Sequence, residues 1–77
     1  MNDLFLQRLG FKIKECRRNQ NLSQEELAWR CKITKNGLGK IELGRSQIRI
    51  TTLLTIMKEL KLNFNDIQVI LEEVGAN

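Results

Sequence analysis

An all-α, compact five-helix fold is what this sequence predicts, and three observations carry it. Apolar residues recur at three- and four-residue spacing, the chain has no proline to interrupt a helix, and three stretches repeat the same helix-starting chemistry. Strand signals are weak throughout. The expected helices run over roughly 3–19, 24–31, 35–42, 50–60 and 64–73.

In the first helix, Leu6, Leu9, Ile13 and Cys16 form the apolar row. The second starts in "LSQEEL", where Ser23 caps, Glu26 returns the bond three residues on, and Leu22 and Leu27 bracket the cap as a hydrophobic staple. The third starts in "ITKNGL" with Thr34 as cap and Ile33 and Leu38 as staple, the returning acid being replaced by Gly37. Leu27, Ala28, Cys31, Ile33, Leu38 and Ile41 are the apolar set of this closely joined helix pair. The fourth helix offers Leu53, Leu54, Met57 and Leu60, and the fifth starts in "LNFNDI", with Asn63 and Asp66 exchanging bonds between Leu62 and Ile67. No linker or repeat divides residues 1–77, so a single domain is expected. A domain this small buries only about 60% of its unfolded surface, and self-association would help it.

Several function classes drop out. Hydrophobic residues at 42% and charged residues at 29% are ordinary globular values that oppose a disordered tail. Apolar runs of only a few residues predict neither a signal peptide nor a membrane span, and the chain reads as cytoplasmic. With no histidine and two cysteines, Cys16 and Cys31, a four-ligand zinc site cannot be assembled from the usual residues. The cysteines read as reduced, buried hydrophobes. No nucleophile, acid-base pair, metal site, cofactor site or small-molecule substrate site is evident, so an enzyme is not expected.

The run "TKNGLGK" (34–40) raises the one nucleotide-binding question. A Walker loop needs glycine five positions before the Gly-Lys pair and Ser or Thr after it, but Thr34 and Ile41 stand there. A dinucleotide fingerprint from Gly37 needs glycine or alanine where Glu42 stands, after a strand. Both patterns fail, and the run is the first part of a helix.

Charge points to a polyanion instead. Residues 32–49 carry Lys32, Lys35, Lys40, Arg45 and Arg49 against Glu42 alone, whereas residues 50–77 are net acidic. A short helix bearing Lys35, Asn36 and Lys40 has the chemistry of a major-groove reader. Asparagine bonds bidentately to adenine, and lysine donates to guanine or phosphate. Asn36 and Lys40 share a face, with Leu38 and Ile41 opposite.

The segment "QEELAWRCKITKNGLGKIELGR" resembles the helix-turn-helix, here at about 24–42, of the lambda-repressor-like (Cro/repressor, XRE-type) family. The resemblance rests on Gln24, Leu27, Ala28, Ile33, Leu38, Ile41 and the exit "IELG". The five-helix layout and the run "RSQIRITTLLTIMKEL" further resemble the small controller proteins of restriction-modification systems. The resemblance implies a transcription regulator that binds double-stranded DNA. It implies a phosphate contact at Gln24, base or phosphate contacts from Lys35, Asn36 and Lys40, and a backbone clamp at Arg45 and Ser46. Thr34 reads as the helix cap, with DNA contact as the alternative second duty, while the resemblance implies that Gly39 occupies a position that often reads DNA and that Arg17 and Glu42 fall where the family has a structural ion pair.

The sequence departs from that pattern in places. Lys32 stands where the turn usually has glycine, so either it adopts a left-handed backbone at about 1 kcal/mol or the turn differs. Gly37 and Gly39 each cost about 1 kcal/mol inside a helix. Arg49 replaces the Ser or Thr that would cap the fourth helix, as a phosphate contact or a loose surface charge. Trp29 is expected to be partly buried, phosphate or partner contact being the alternatives. Phe64, Ile67, Ile70, Leu71 and Val74 offer more apolar surface than a terminal helix needs, and the family commonly joins subunits there. A homodimer on a partly palindromic operator is therefore expected. The rival reading is a protein-interaction module of helix-turn-helix type, an antitoxin or antirepressor, which the two glycines favour and the charge clustering opposes.

Overall fold

Each of the three cap sequences starts a helix. The computed structural model describes residues 2–75, with α1 at Asn2–Asn19, α2 at Gln24–Cys31, α3 at Lys35–Glu42, α4 at Ile50–Leu60 and α5 at Phe64–Gly75. Glu26 N donates to Ser23 Oγ at 3.0 Å and Ser23 N to Glu26 Oε1 at 3.2 Å, closing the box at α2. The same exchange joins Asn63 and Asp66 at α5, at 3.1 and 2.9 Å. At α3, Gly37 N donates to Thr34 Oγ1 at 2.9 Å. Each cap contributes about 1 kcal/mol by satisfying an N–H that the helix itself cannot. The start of α4 is the exception, since Arg49 makes no side-chain cap bond.

The first four helices end alike. A residue with left-handed backbone follows each: Asn21 (φ 58°), Lys32 (φ 58°), Gly44 (φ 71°) and Lys61 (φ 60°). The next residue then donates back to the carbonyl five positions earlier: Leu22 N to Arg17 O, Ile33 N to Ala28 O, Arg45 N to Lys40 O and Leu62 N to Met57 O. This is the Schellman closure, and in three of the four it turns an apolar residue back onto the helix it ends. Lys32 therefore adopts the left-handed conformation, and its turn follows the usual geometry without the usual glycine.

α1 packs against α3, α4 and α5, and α2 packs against α3 and α4. Leu9, Ile13, Leu27, Ala28, Cys31, Leu38, Ile56, Leu60, Ile70 and Val74 meet in one core, joined by Leu22 from the first turn. Gly10 lies where α1 crosses the end of α3. A Cβ there would stand 2.7 Å from Glu42 O and would also collide with Ile41 O, so only glycine permits this approach.

Three expectations are corrected by burial. Leu54 is 42% exposed, and Ile56, at 0%, takes its place, because the inward row of α4 runs Leu53, Ile56, Met57, Leu60. Trp29 is 81% exposed rather than partly buried. The inward side of α2 is occupied by Leu27, Ala28 and Cys31, and two residues past Leu27 a helix has turned some 200° away. Of the five α5 residues expected at a subunit junction, Ile70 and Val74 are instead buried in the chain's own core, since theirs is the face turned toward α1. Cys16 and Cys31 are free thiols, half-buried and buried respectively.

Candidate nucleic-acid interface

α3 divides cleanly into two faces. Leu38 is wholly buried and Glu42 nearly so, whereas Lys35, Asn36 and Lys40 are exposed. The helix therefore offers solvent a row of one amide and two ammonium groups, and Asn36 and Lys40 are one turn apart. Thr34, also exposed, is occupied by the cap bond through its Oγ1. Lys35 Nζ lies 3.4 Å from Glu25 Oε1 in an exposed pair, an interaction weak enough for a phosphate to displace.

What holds α3 in place is a polar cluster at its last turn. Arg17 Nε donates to Glu42 Oε2 at 2.7 Å, and Arg17 Nη2 donates to Glu42 Oε1 at 3.1 Å. This is the ion pair that the resemblance implied. Its third member was not foreseen: Gln24 Nε2 donates to the same Glu42 Oε1 at 2.9 Å, and Arg17 Nη1 donates to Leu22 O at 2.8 Å. One buried carboxylate thus joins α1, the start of α2 and the end of α3. Both carboxylate oxygens receive donors, so the buried charge is hydrogen-bonded as well as paired.

Gln24, the first residue of α2, is half-buried, and its amide is oriented by Glu42 rather than free to swing. Gly39 is half-buried beside it: the nearest atom that a Cβ on Gly39 would meet is Gln24 Nε2, at 3.9 Å. Beyond α3, Gly44 is pressed against Gln7, whose Cα would lie 2.6 Å from a Cβ at that position. This contact and the left-handed turn send the chain outward to exposed Arg45 and half-buried Ser46. Lys32 and Arg49 are exposed on the two sides of this segment. The structure therefore brings Gln24, Gly39, Lys35, Asn36 and Lys40 together on and beside α3, with Arg45 and Ser46 in the loop that leaves it.

Two short helices joined by a tight left-handed turn, the second exposing cations, form an arrangement that comparison can test. The family model described as helix-turn-helix matches residues 13–67. The chain belongs to the helix-turn-helix family. Structures similar to this helix-turn-helix chain include the restriction-modification controller protein C.AhdI from Aeromonas hydrophila, 24% identical, with a TM-score of 0.75 over 80% of this chain and 94% of that one. A point mutant of the controller C.Esp1396I is 25% identical, with a TM-score of 0.78 over 96% and 95%. The clp gene regulator ClgR from Corynebacterium glutamicum is 20% identical, with a TM-score of 0.83 over 99% and 81%. No curated protein matches the sequence. The lambda-repressor-like architecture expected from the sequence is thus the one observed, and family membership supports a DNA-binding transcriptional regulator. No helix among the described residues is long and apolar enough to cross a membrane.

Proposed function

We propose that this helix-turn-helix protein binds double-stranded DNA sequence-specifically and regulates transcription, acting as a homodimer on a partly palindromic operator. The observation that carries the reading is the division of α3: Leu38 and Glu42 are buried while Lys35, Asn36 and Lys40 stand outward. In the major groove, Asn36 is placed to read adenine, and Lys35 and Lys40 to read guanine or grip phosphate. Backbone N–H groups in the first turn of α2, beginning at Gln24, meet a phosphate with the positive end of the helix dipole. Arg45 and Ser46 grip the backbone on the other side, and Thr34 adds a contact at the start of α3. A role as controller of a restriction-modification system is the finer form of this reading, supported by the likeness to C.Esp1396I.

The dimer rests on α5. Phe64 is 70% exposed, Leu71 is also exposed, and half-buried Ile67 lies between them. The seven-residue spacing sets Phe64 and Leu71 on one stripe, clear of buried Ile70 and Val74. A two-fold axis there would set two α3 helices about 34 Å apart, one turn of DNA.

Selection of bound duplexes from a random library at near-physiological salt tests both parts. A two-fold symmetric motif is the expected result. Absence of any enriched motif from a folded, dimeric sample would favour a protein partner, the reading to which the two glycines of α3 lend weight.

A further inference from the structure

We infer that the outer face of α1 is a self-association surface: two copies pack their first helices antiparallel about a two-fold axis beside Phe11, with Arg8 of each copy against Glu15 of the other. Phe11 is 62% exposed and Leu4 42%. Seven residues apart, they lie on one stripe of α1. The ring of Phe11 stands between two open hollows. One lies toward α5 and is bordered by Val69 and Glu73, and the other, of about 470 Å³, runs along α1 itself beside Lys14, Glu15, Arg18 and Asn19. The second hollow leaves room beside Phe11 for a ring from another chain, and an offset aromatic pair is a favourable contact.

Charge decides the occupant. Arg8 and Glu15 are both exposed and, like Leu4 and Phe11, stand seven residues apart on one stripe. Their midpoint falls between Phe11 and Lys12. A two-fold axis there reverses the second helix, so each Arg8 meets Glu15 of the other copy and the two Phe11 rings lie on either side of the axis. Parallel alignment would set Arg8 against Arg8 instead. Among the described residues Arg8 makes no ion pair, and Glu15 makes only a 4.0 Å contact with Lys12, so both can pair between chains. The face is therefore complementary to itself, as contact with a second copy requires.

This surface is separate from the two proposed above. Gly10 marks the side of α1 that crosses α3, and Phe11 lies about 100° further round the helix. On α5, Phe64 and Leu71 do not border the hollow that faces α1. Pairing through α1 would leave α3 open and, together with the α5 stripe, would link dimers into larger assemblies.

The test is sedimentation velocity from about 10 µM to 1 mM, because a single helix pair makes a small and weak interface. Phe64→Glu, which spoils the α5 stripe, serves as the background, and its mass is expected to rise with concentration through α1 alone. Adding Phe11→Glu, Arg8→Glu or Glu15→Arg is each expected to weaken that step by about 10-fold or more, since each sets like charges or a buried charge at the axis. Mixing the Arg8→Glu chain with the Glu15→Arg chain is expected to restore association, because every mixed pair regains two contacts of opposite charge. A fault confined to the fold of one chain could not be repaired by mixing. No rise in mass for Phe64→Glu, undiminished association by Phe11→Glu, or a mixture no better than its two components would overturn the inference and leave DNA binding standing.

Discussion

Arg17 Nε stands 2.7 Å from Glu42 Oε2, and this bond ties the first helix to the end of the third across 25 residues of chain. Removing one partner leaves the other buried with no counter-charge. Glu42→Ala is expected to cost about 3–5 kcal/mol in urea denaturation, whereas Arg17→Met with Glu42→Leu should cost less than either single change. A loss below about 1 kcal/mol for Glu42→Ala would mean that the cluster does not hold α3.

Gly10→Ala reverses an ordinary expectation. In the middle of a helix, alanine is usually better than glycine by about 1 kcal/mol. Here its Cβ meets the backbone carbonyls of Ile41 and Glu42, atoms that cannot rotate away. The variant is expected to melt lower, by the equivalent of about 1–3 kcal/mol of overpacking. Unchanged or raised thermal stability would show that α1 and α3 can separate without cost.

Lys32 and Lys61 hold left-handed backbone without being glycine. Lys32→Gly and Lys61→Gly should each stabilise the fold by up to about 1 kcal/mol in thermal unfolding, because the Cβ strain is removed. Destabilisation at Lys61 would mean that its side chain packs to more effect than its backbone strains.

The two cysteines predict a limit at alkaline pH. Burial pushes the Cys16 thiol above its ordinary 9.0, the nearby Lys12 opposing it, and burial together with Glu59 raises Cys31. A folded value above the unfolded one means that the folded chain keeps its protons longer. The stabilisation is fully present below pH 9.0 and is lost as pH rises through the folded values. Unfolding free energy should therefore fall from about pH 9 upward, and more steeply than in a Cys16→Ala, Cys31→Ala protein. Parallel curves for the two proteins would contradict this.

Much of this was legible in the sequence because caps act locally. Ser23 with Glu26, Thr34, and Asn63 with Asp66 each fix a helix start within four residues of chain, and all five helices lie where spacing and caps placed them. The Arg17–Glu42 pair came through family resemblance, since nothing local links residues so far apart. Periodicity did not separate Leu54 from Ile56, as both are apolar and only the position of α1 and α2 around α4 decides which turns inward. Trp29, expected to be partly buried, is exposed because Leu27, Ala28 and Cys31 already fill the inward side of the short α2, which only the packed fold shows. Gly10 carried no local signal, since its reason lies in a helix 30 residues away. The bond from Gln24 to Glu42 is hidden for the same reason.

The central claim is that α3 reads bases while the following loop grips the backbone, and one comparison tests it most directly. Affinities of wild-type, Asn36→Ala and Arg45→Ala proteins are measured on the selected duplex and on a scrambled one at fixed salt. Asn36→Ala is expected to lose about 1–3 kcal/mol on the selected duplex and almost nothing on the scrambled one, and Arg45→Ala to weaken both alike. Equal losses on both duplexes for Asn36→Ala would contradict the account.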